Sequence, residues 1–269
     1  HHQAFLRARY SVLTAARRSN GTRKKIPAPS SSGHDYVAAA ADRPHQTMSY
    51  RAFSSNNLPI VDLRSDTVTA PSRPMLEMAL TAKTGDDVMG EDPTIHELEA
   101  EMAQLCGKQA ALYVPTGTMA NLVAIMAHCD YRSAEIIIGS KSHISLWEAG
   151  NAASLGGVHT RQIMEQDNGT LLLEDIQDAF RSDHDDHCAK TALVCLENTH
   201  NMLGGAVLPL DQIHAIGTLA HEELGIKVHI DGARIFNASV ASQTPLSVML
   251  QHVDSVSICL SKGLGAPLG

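Results

Sequence analysis

Short apolar runs that each close on a turn bearing Gly, Thr, His, Asp or Lys, with helix signals in between, most constrain what this chain can fold into. The runs are residues 110–114, 135–139, 191–197, 226–231 and 255–260. Pro71 and Pro74 open a helix reaching about Ala82, and Asp92 caps another with Pro93 at its first position. Ile95, Leu98, Met102 and Leu105 form the expected apolar face of that second helix. Further helices are expected after Pro115-Thr-Gly-Thr118 (Leu122, Ile125 and Met126 on one face), over 144–151, over 174–180 and over 211–224, where Gly225 is the stop. Alternation of this kind predicts an α/β fold, a mostly parallel sheet with helices on both faces. In such a sheet the strand C-terminal ends share one edge, where ligands collect. Thr118, His143, His200, Asp231 and Lys262 all fall on that edge.

The bulk properties narrow the function classes. With 269 residues and 43% apolar content, the chain can bury a large core. No apolar run approaches membrane-spanning length, so no membrane partner is expected. Five scattered cysteines, odd in number and without C-x-x-C spacing, fit a reduced intracellular compartment. The net charge of −8 conceals an asymmetry, because nine Lys/Arg against Asp35 and Asp42 give residues 1–60 a charge of +7. The acidic remainder argues against a nucleic-acid partner, since that affinity rests on cations neutralising phosphates. Residues 1–57 are rich in Arg, Ser, Ala and Pro and lack apolar periodicity. They read as a leader or disordered segment, or as sequence upstream of a start at Met48, with the folded domain over 58–269. The loop with Asp183, His184, Asp185, Asp186, His187 and Cys188 reads as polar surface and not as a metal site, because adjacent ligands cannot all face one ion.

The chemistry is expected at Lys262, held by a rigid strand and facing a glycine-rich turn. Partial desolvation there favours a nucleophilic amine able to react with an aldehyde. Pyridoxal 5'-phosphate (PLP) is an aldehyde cofactor bound in this way, and its pyridinium nitrogen needs an acidic partner. Asp231, followed by Arg234, lies at the end of another apolar run and can supply it. The strand, Gly/Thr turn and helix start at 115–118 form a candidate phosphate site, through free backbone N–H groups and the helix dipole. His143, at a strand exit, can lie flat over an aromatic cofactor.

Taken together, Asp62-Leu-Arg-Ser-Asp-Thr-Val-Thr69, Gly85-Asp-Asp, Gly90-Glu-Asp-Pro93, Pro115-Thr-Gly-Thr118, Glu197-Asn-Thr-His-Asn201, Asp231-Gly-Ala-Arg234 and Ser261-Lys-Gly-Leu-Gly-Ala-Pro267 resemble the low-specificity L-threonine aldolases. The resemblance covers residues 58–269 in order. It implies the large domain of PLP fold type I, with a seven-stranded, mostly parallel sheet. It also implies cleavage of a β-hydroxy-α-amino acid, L-threonine or L-allo-threonine, to glycine and acetaldehyde. In that family Lys262 would hold the cofactor covalently, Asp231 would pair with the ring nitrogen, His143 would stack on the ring, and Gly117 and Thr118 would hold the phosphate. Ser65 and Arg234 would serve cofactor or substrate-carboxylate binding. His200 would lie near the substrate hydroxyl and be first choice of base, with His143 second. A homodimer or homotetramer is implied, in the cytosol, or in the mitochondrion if residues 1–57 are a genuine leader. Two departures stand out. Met89 occupies a position where the family usually has Tyr, and the family's C-terminal small domain, with two further arginines, has no counterpart here. The alternatives are a silent fragment of this fold, another PLP lyase or an aminotransferase.

Overall fold

The computed structural model describes residues 61–182 and 185–269, so the expected leader lies outside the described residues. The first helix, α1 (Arg73–Thr81), is capped by Ser72, whose hydroxyl accepts from the Met75 N–H at 3.4 Å, with Pro74 in its opening turn. Asp92 starts α2 (Pro93–Cys106), its carboxylate accepting from Thr94 N and Ile95 N at 3.0 Å each. Its other oxygen takes the Gly85 N–H at 3.0 Å, so one side chain also closes the preceding turn. The inner face of α2 centres on Ala103 and Cys106, and Leu105, expected inside, is exposed.

Helix α3 (Gly117–His128) is followed by β1 (Ala134–Gly139), the short helices α4 (His143–Leu146) and α5 (Asn151–Ser154), and β2 (His159–Ile163). The single helix expected over 144–151 is thus two pieces, divided where Ala149 and Gly150 turn left-handed at φ 54° and 65°. Next come α6 (Leu173–Ala179), β3 (Lys190–Glu197), α7 (Leu210–Thr218) with a wider π-helical turn to Leu224, and β4 (Lys227–Asp231). The left-handed Gly225 ends that long helix as expected. The chain continues through α8 (Ile235–Ser242), α9 (Leu246–Met249) and β5 (Ser255–Ser257).

All five strands are parallel, in the order β2-β1-β3-β4-β5. Register alternation sends Ile137, Val194, Val228 and Ile230 into one core and Ile136, Ile138, Leu193 and Cys195 into the other. Both faces are therefore covered, which is what strands this apolar require.

Among the described residues the sheet has five strands and not seven. Residues 110–114, expected as a strand, are extended without a ladder. They line one wall of a cleft of about 470 Å³ whose other wall is formed by Ser255, Val256 and Ser257 of β5, so the two backbones do not pair. Conversely β2 was not anticipated: His159, Thr160, Arg161 and Gln162 are polar, as befits an edge strand with no fully buried residue. β5 stops at Ser257, short of Leu260, because β4 ends at Asp231 and the later amides turn away, with Leu260 N and Ser261 N both donating to Gly269 O.

Candidate active site

The strand order reverses between β1 and β3, and a doubly wound sheet opens its ligand crevice at that point. Glu197 ends β3 there, paired in register with Asp231 of β4, which is paired in turn with Ser257 of β5. The Glu197 carboxylate takes the His143 N–H at 2.6 Å and the Asn201 N–H at 2.9 Å, tying together the loops that leave β1 and β3. Burial, reinforced by the charge of Asp231, raises the Glu197 pKa.

His143 is half-buried beside Asp231, its Nδ1 lying 3.9 Å from Asp231 Oδ2 and 3.1 Å from Glu148 Oε1. The hydrogen bond to Glu148 leads the causes that raise the His143 pKa, helped by the charges of Asp231, Glu148 and Glu197. Asp231 is buried, with Oδ1 accepting from Ala233 N at 3.1 Å and Oδ2 from Asn121 Nδ2 at 2.8 Å. The same Asn121 nitrogen donates to Glu148 Oε1 at 2.8 Å. His143, Glu148 and Asp231 lie close enough to share a cation, but two of their three ligand atoms already accept from that amide.

One strand over, Lys262 follows β5 in a tight turn closed by Gly265 N donating to Lys262 O at 2.9 Å. Cys259 connects the parts of this corner. Burial pushes its thiol pKa up while adjacent Lys262 pulls it down, and Asp231 is close enough to raise it too. Lys262 and Asp231 are therefore both near enough to Cys259 for their charges to act on its thiol. Gly117, at the start of α3, approaches that thiol so closely that a Cβ would lie 2.4 Å from Cys259 Sγ. Thr118 sits exposed in the first turn of α3, while Thr116 caps the helix by accepting from Met119 N at 3.2 Å.

Arg234 forms a two-pronged pair with Asp66, Nε to Oδ2 and Nη2 to Oδ1 both at 2.7 Å, and reaches Asn201 Oδ1 at 3.3 Å. The Arg234 guanidinium lowers the Asp66 pKa, and Lys262 adds to the effect. This pair brings the neighbouring Ser65 to the Asp231–Arg234 corner, although the Ser65 hydroxyl itself caps a short turn by accepting from Thr67 N at 3.2 Å. His200 packs against the turn after β2: Nε2 lies 3.5 Å from Glu165 Oε1, and among the described residues neither buried ring nitrogen has a hydrogen-bond partner. Met89 is exposed.

The sequence reading picked out the residues at the strand ends and missed the groups behind them. Asn121, Glu148, Glu165 and Cys259 carry no local signature, since each is defined by a partner distant in sequence. Asp66 and Glu197 stand inside motifs of the resemblance but without a role of their own.

A profile for the beta-eliminating lyases matches residues 62–269. The chain belongs to that family. A protein of Arabidopsis thaliana named "Probable low-specificity L-threonine aldolase 2" is 51% identical over 210 residues, covering 78% of this chain and 59% of that protein. The low specificity L-threonine aldolase of Escherichia coli O157:H7 is 48% identical over 210 residues, covering 78% and 61%. This family member thus spans about three fifths of the length of the curated relatives it matches. The solved threonine aldolase of Leishmania major superposes with a TM-score of 0.63 at 22% identity, covering 73% of this chain and 57% of that one, and shares its α/β fold. Among the described residues no helix is long and apolar enough to cross a membrane.

Proposed function

We propose that residues 58–269 form the PLP-binding large domain of an enzyme that cleaves L-threonine or L-allo-threonine into glycine and acetaldehyde. The observation that carries the reading is the meeting, at one sheet edge, of a buried carboxylate, a histidine ring beside it and a lysine after the adjacent strand. The residues fit the cofactor: Asp231 suits a cationic ring nitrogen, and Gly117, with no room for a Cβ, opens the start of a twelve-residue helix suited to a phosphate. Relatives named as threonine aldolases, 48–51% identical over the matched residues, point to the substrate class.

When bound, PLP supplies an aldehyde and a pyridinium ring that accepts the electron pair of the broken Cα–Cβ bond. Lys262 would hold the cofactor covalently, Asp231 would keep its ring nitrogen protonated, and His143 would be the residue to stack on the ring. Arg234 and Ser65 serve the carboxylate end of the substrate or the cofactor, Arg234 doing so by exchanging Asp66 for the incoming anion. His200, buried and among the described residues without a hydrogen-bond partner for either ring nitrogen, would take the β-hydroxyl proton as the substrate splits. A proton then returns to Cα, so glycine and acetaldehyde account for every atom of threonine. Val61, Leu63, Leu80 and Val88 are strongly exposed apolar side chains, which supports a homo-oligomer packed on this segment. The compartment is the cytosol, or the mitochondrion if residues 1–57 act as a leader.

Lys262→Ala in the full chain is the test. Loss of both the visible absorbance that PLP acquires on a lysine and acetaldehyde release from threonine is expected. Retention of both sinks the assignment. The family description favours one second reading, β-elimination, which releases a keto acid and ammonia in place of glycine and acetaldehyde. A product assay on threonine separates the two.

A further inference from the structure

The side chain of Asn121 is saturated. Its Nδ2 gives one N–H to Glu148 Oε1 and the other to Asp231 Oδ2, both at 2.8 Å. Its Oδ1 lies 2.6 Å from Ser257 Oγ and 3.1 Å from His229 Nε2. An amide has two donors and one carbonyl oxygen with two lone pairs, so all four bonds are made, and the flipped amide would set its oxygen against two carboxylate oxygens that can only accept. Because the oxygen is an acceptor, His229 must carry its proton on Nε2. Its Nδ1 then accepts from Ser255 Oγ at 2.9 Å, and Ser255 Oγ accepts from His128 Nε2 at 2.8 Å. The periodicities of two elements build this chain. His229 and Asp231 project from the same face of β4, Ser255 and Ser257 stand opposite them on β5, and Asn121 and His128, seven residues apart, share one side of α3.

We propose that Asn121 is a positioning residue: its single amide holds Asp231 and Glu148 in place, and His143 through Glu148, while the neutral Nε2–H form of His229 and the Ser257 hydroxyl lock that amide's orientation. The proposal rests on the cofactor reading for what Asp231 does, but the geometry of the lock does not.

Two arms of one experiment separate these. In the first, which needs no cofactor, ¹⁵N NMR of the imidazoles is expected to show His229 neutral, with Nε2 protonated and Nδ1 bare, from pH 6 to 8. In Asn121→Ala that single-tautomer signature is lost. A cationic ring or an Nδ1–H form in the wild type overturns the lock. In the second arm the full chain is titrated with PLP. Asn121→Ala is expected to weaken PLP binding roughly tenfold or more, since a charge-assisted hydrogen bond to Asp231 is lost, and to shift the pH midpoint of the lysine-bound absorbance. His229→Phe weakens binding in the same direction, and His229→Gln, whose amide can both donate to Asn121 and accept from Ser255, recovers most of the loss. Folding is checked by thermal melting. If Asn121→Ala does not fold, the His229→Phe and His229→Gln pair decides. A folded Asn121→Ala with wild-type affinity and midpoint, or equal behaviour of the two His229 variants, overturns the proposal. Failure of the wild type to take up PLP instead overturns the cofactor reading, and the NMR arm still decides the lock.

Discussion

Acidification should destabilise this protein through one buried imidazole. His229 is fully buried, and burial pushes its pKa down to about 4 from an ordinary 6.5. The folded chain therefore keeps His229 neutral through a pH range in which the unfolded chain protonates it. Stability from this group is intact above pH 6.5 and is lost as pH falls toward about 4. A gap of about 2.5 units corresponds to roughly 3 kcal/mol, a large share of the ~5–15 kcal/mol typical of folded domains. His143 has the opposite slope, because its raised pKa adds stability below its unfolded value that is lost as pH rises through the folded one. His128, lowered by burial, slopes the same way as His229. Subtraction isolates the term. Urea unfolding at half-unit pH steps on wild type and His229→Gln should give stability curves that diverge below pH 6.5, the wild type losing about 3 kcal/mol more by pH 4. Parallel curves across that window refute the reasoning, and with it the claim that the ring is held neutral.

Ile137, fully buried in β1 with Val194 beside it in register, should cost about 2–5 kcal/mol on truncation to alanine, measured by urea unfolding at pH 7.5; a loss near zero contradicts the two-sided burial of the sheet. Gly117→Ala places a methyl 2.4 Å from Cys259 Sγ and should displace the thiol and weaken PLP uptake. Cys259→Ala in the same chain should restore much of that uptake, a coupling that an independent pair would not show.

The parts of the fold legible in the sequence were those whose signals are local. β1 and β3 are apolar enough to read as buried strands, β4 shows itself by the alternation of Val228 and Ile230 with polar residues, and the starts of α2 and α3 follow from Asp92 and Thr116 accepting amides two or three residues ahead. β2 was illegible because a polar edge strand looks like a loop until its neighbour is known. Residues 110–114 failed for the converse reason: an apolar run shows readiness to pair, and pairing also requires a neighbouring edge within reach. In the candidate site, the turn after each strand carries the residue that its sequence singles out. Asn121 read as one more polar residue on a helix, because its significance lies in partners 27, 108, 110 and 136 positions away.

The charges of this edge are sorted by depth, and on the proposed reading that sorting would set which way round a dipolar cofactor enters. Glu148, Glu197 and Asp231 are buried, whereas Arg234 is largely spent on Asp66, and Lys262 stands nearer solvent. Burial first, and then the charge of Asp231, moves Glu197 toward its neutral form, while the hydrogen bond to Glu148, helped by the charges of Asp231, Glu148 and Glu197, moves His143 toward its charged one. A cation entering at Asp231 would offset these negative charges, and an anion there would add to them. The start of α3 is the place that would suit an anion, because the first N–H groups of a helix lack intrahelical partners. If Gly117 and Thr118 hold the phosphate as proposed, a molecule with a protonated ring nitrogen at one end and a phosphate at the other would satisfy both places only with its nitrogen inward. The reverse orientation puts a dianion against Asp231, so the same residues that favour binding also exclude the wrong pose.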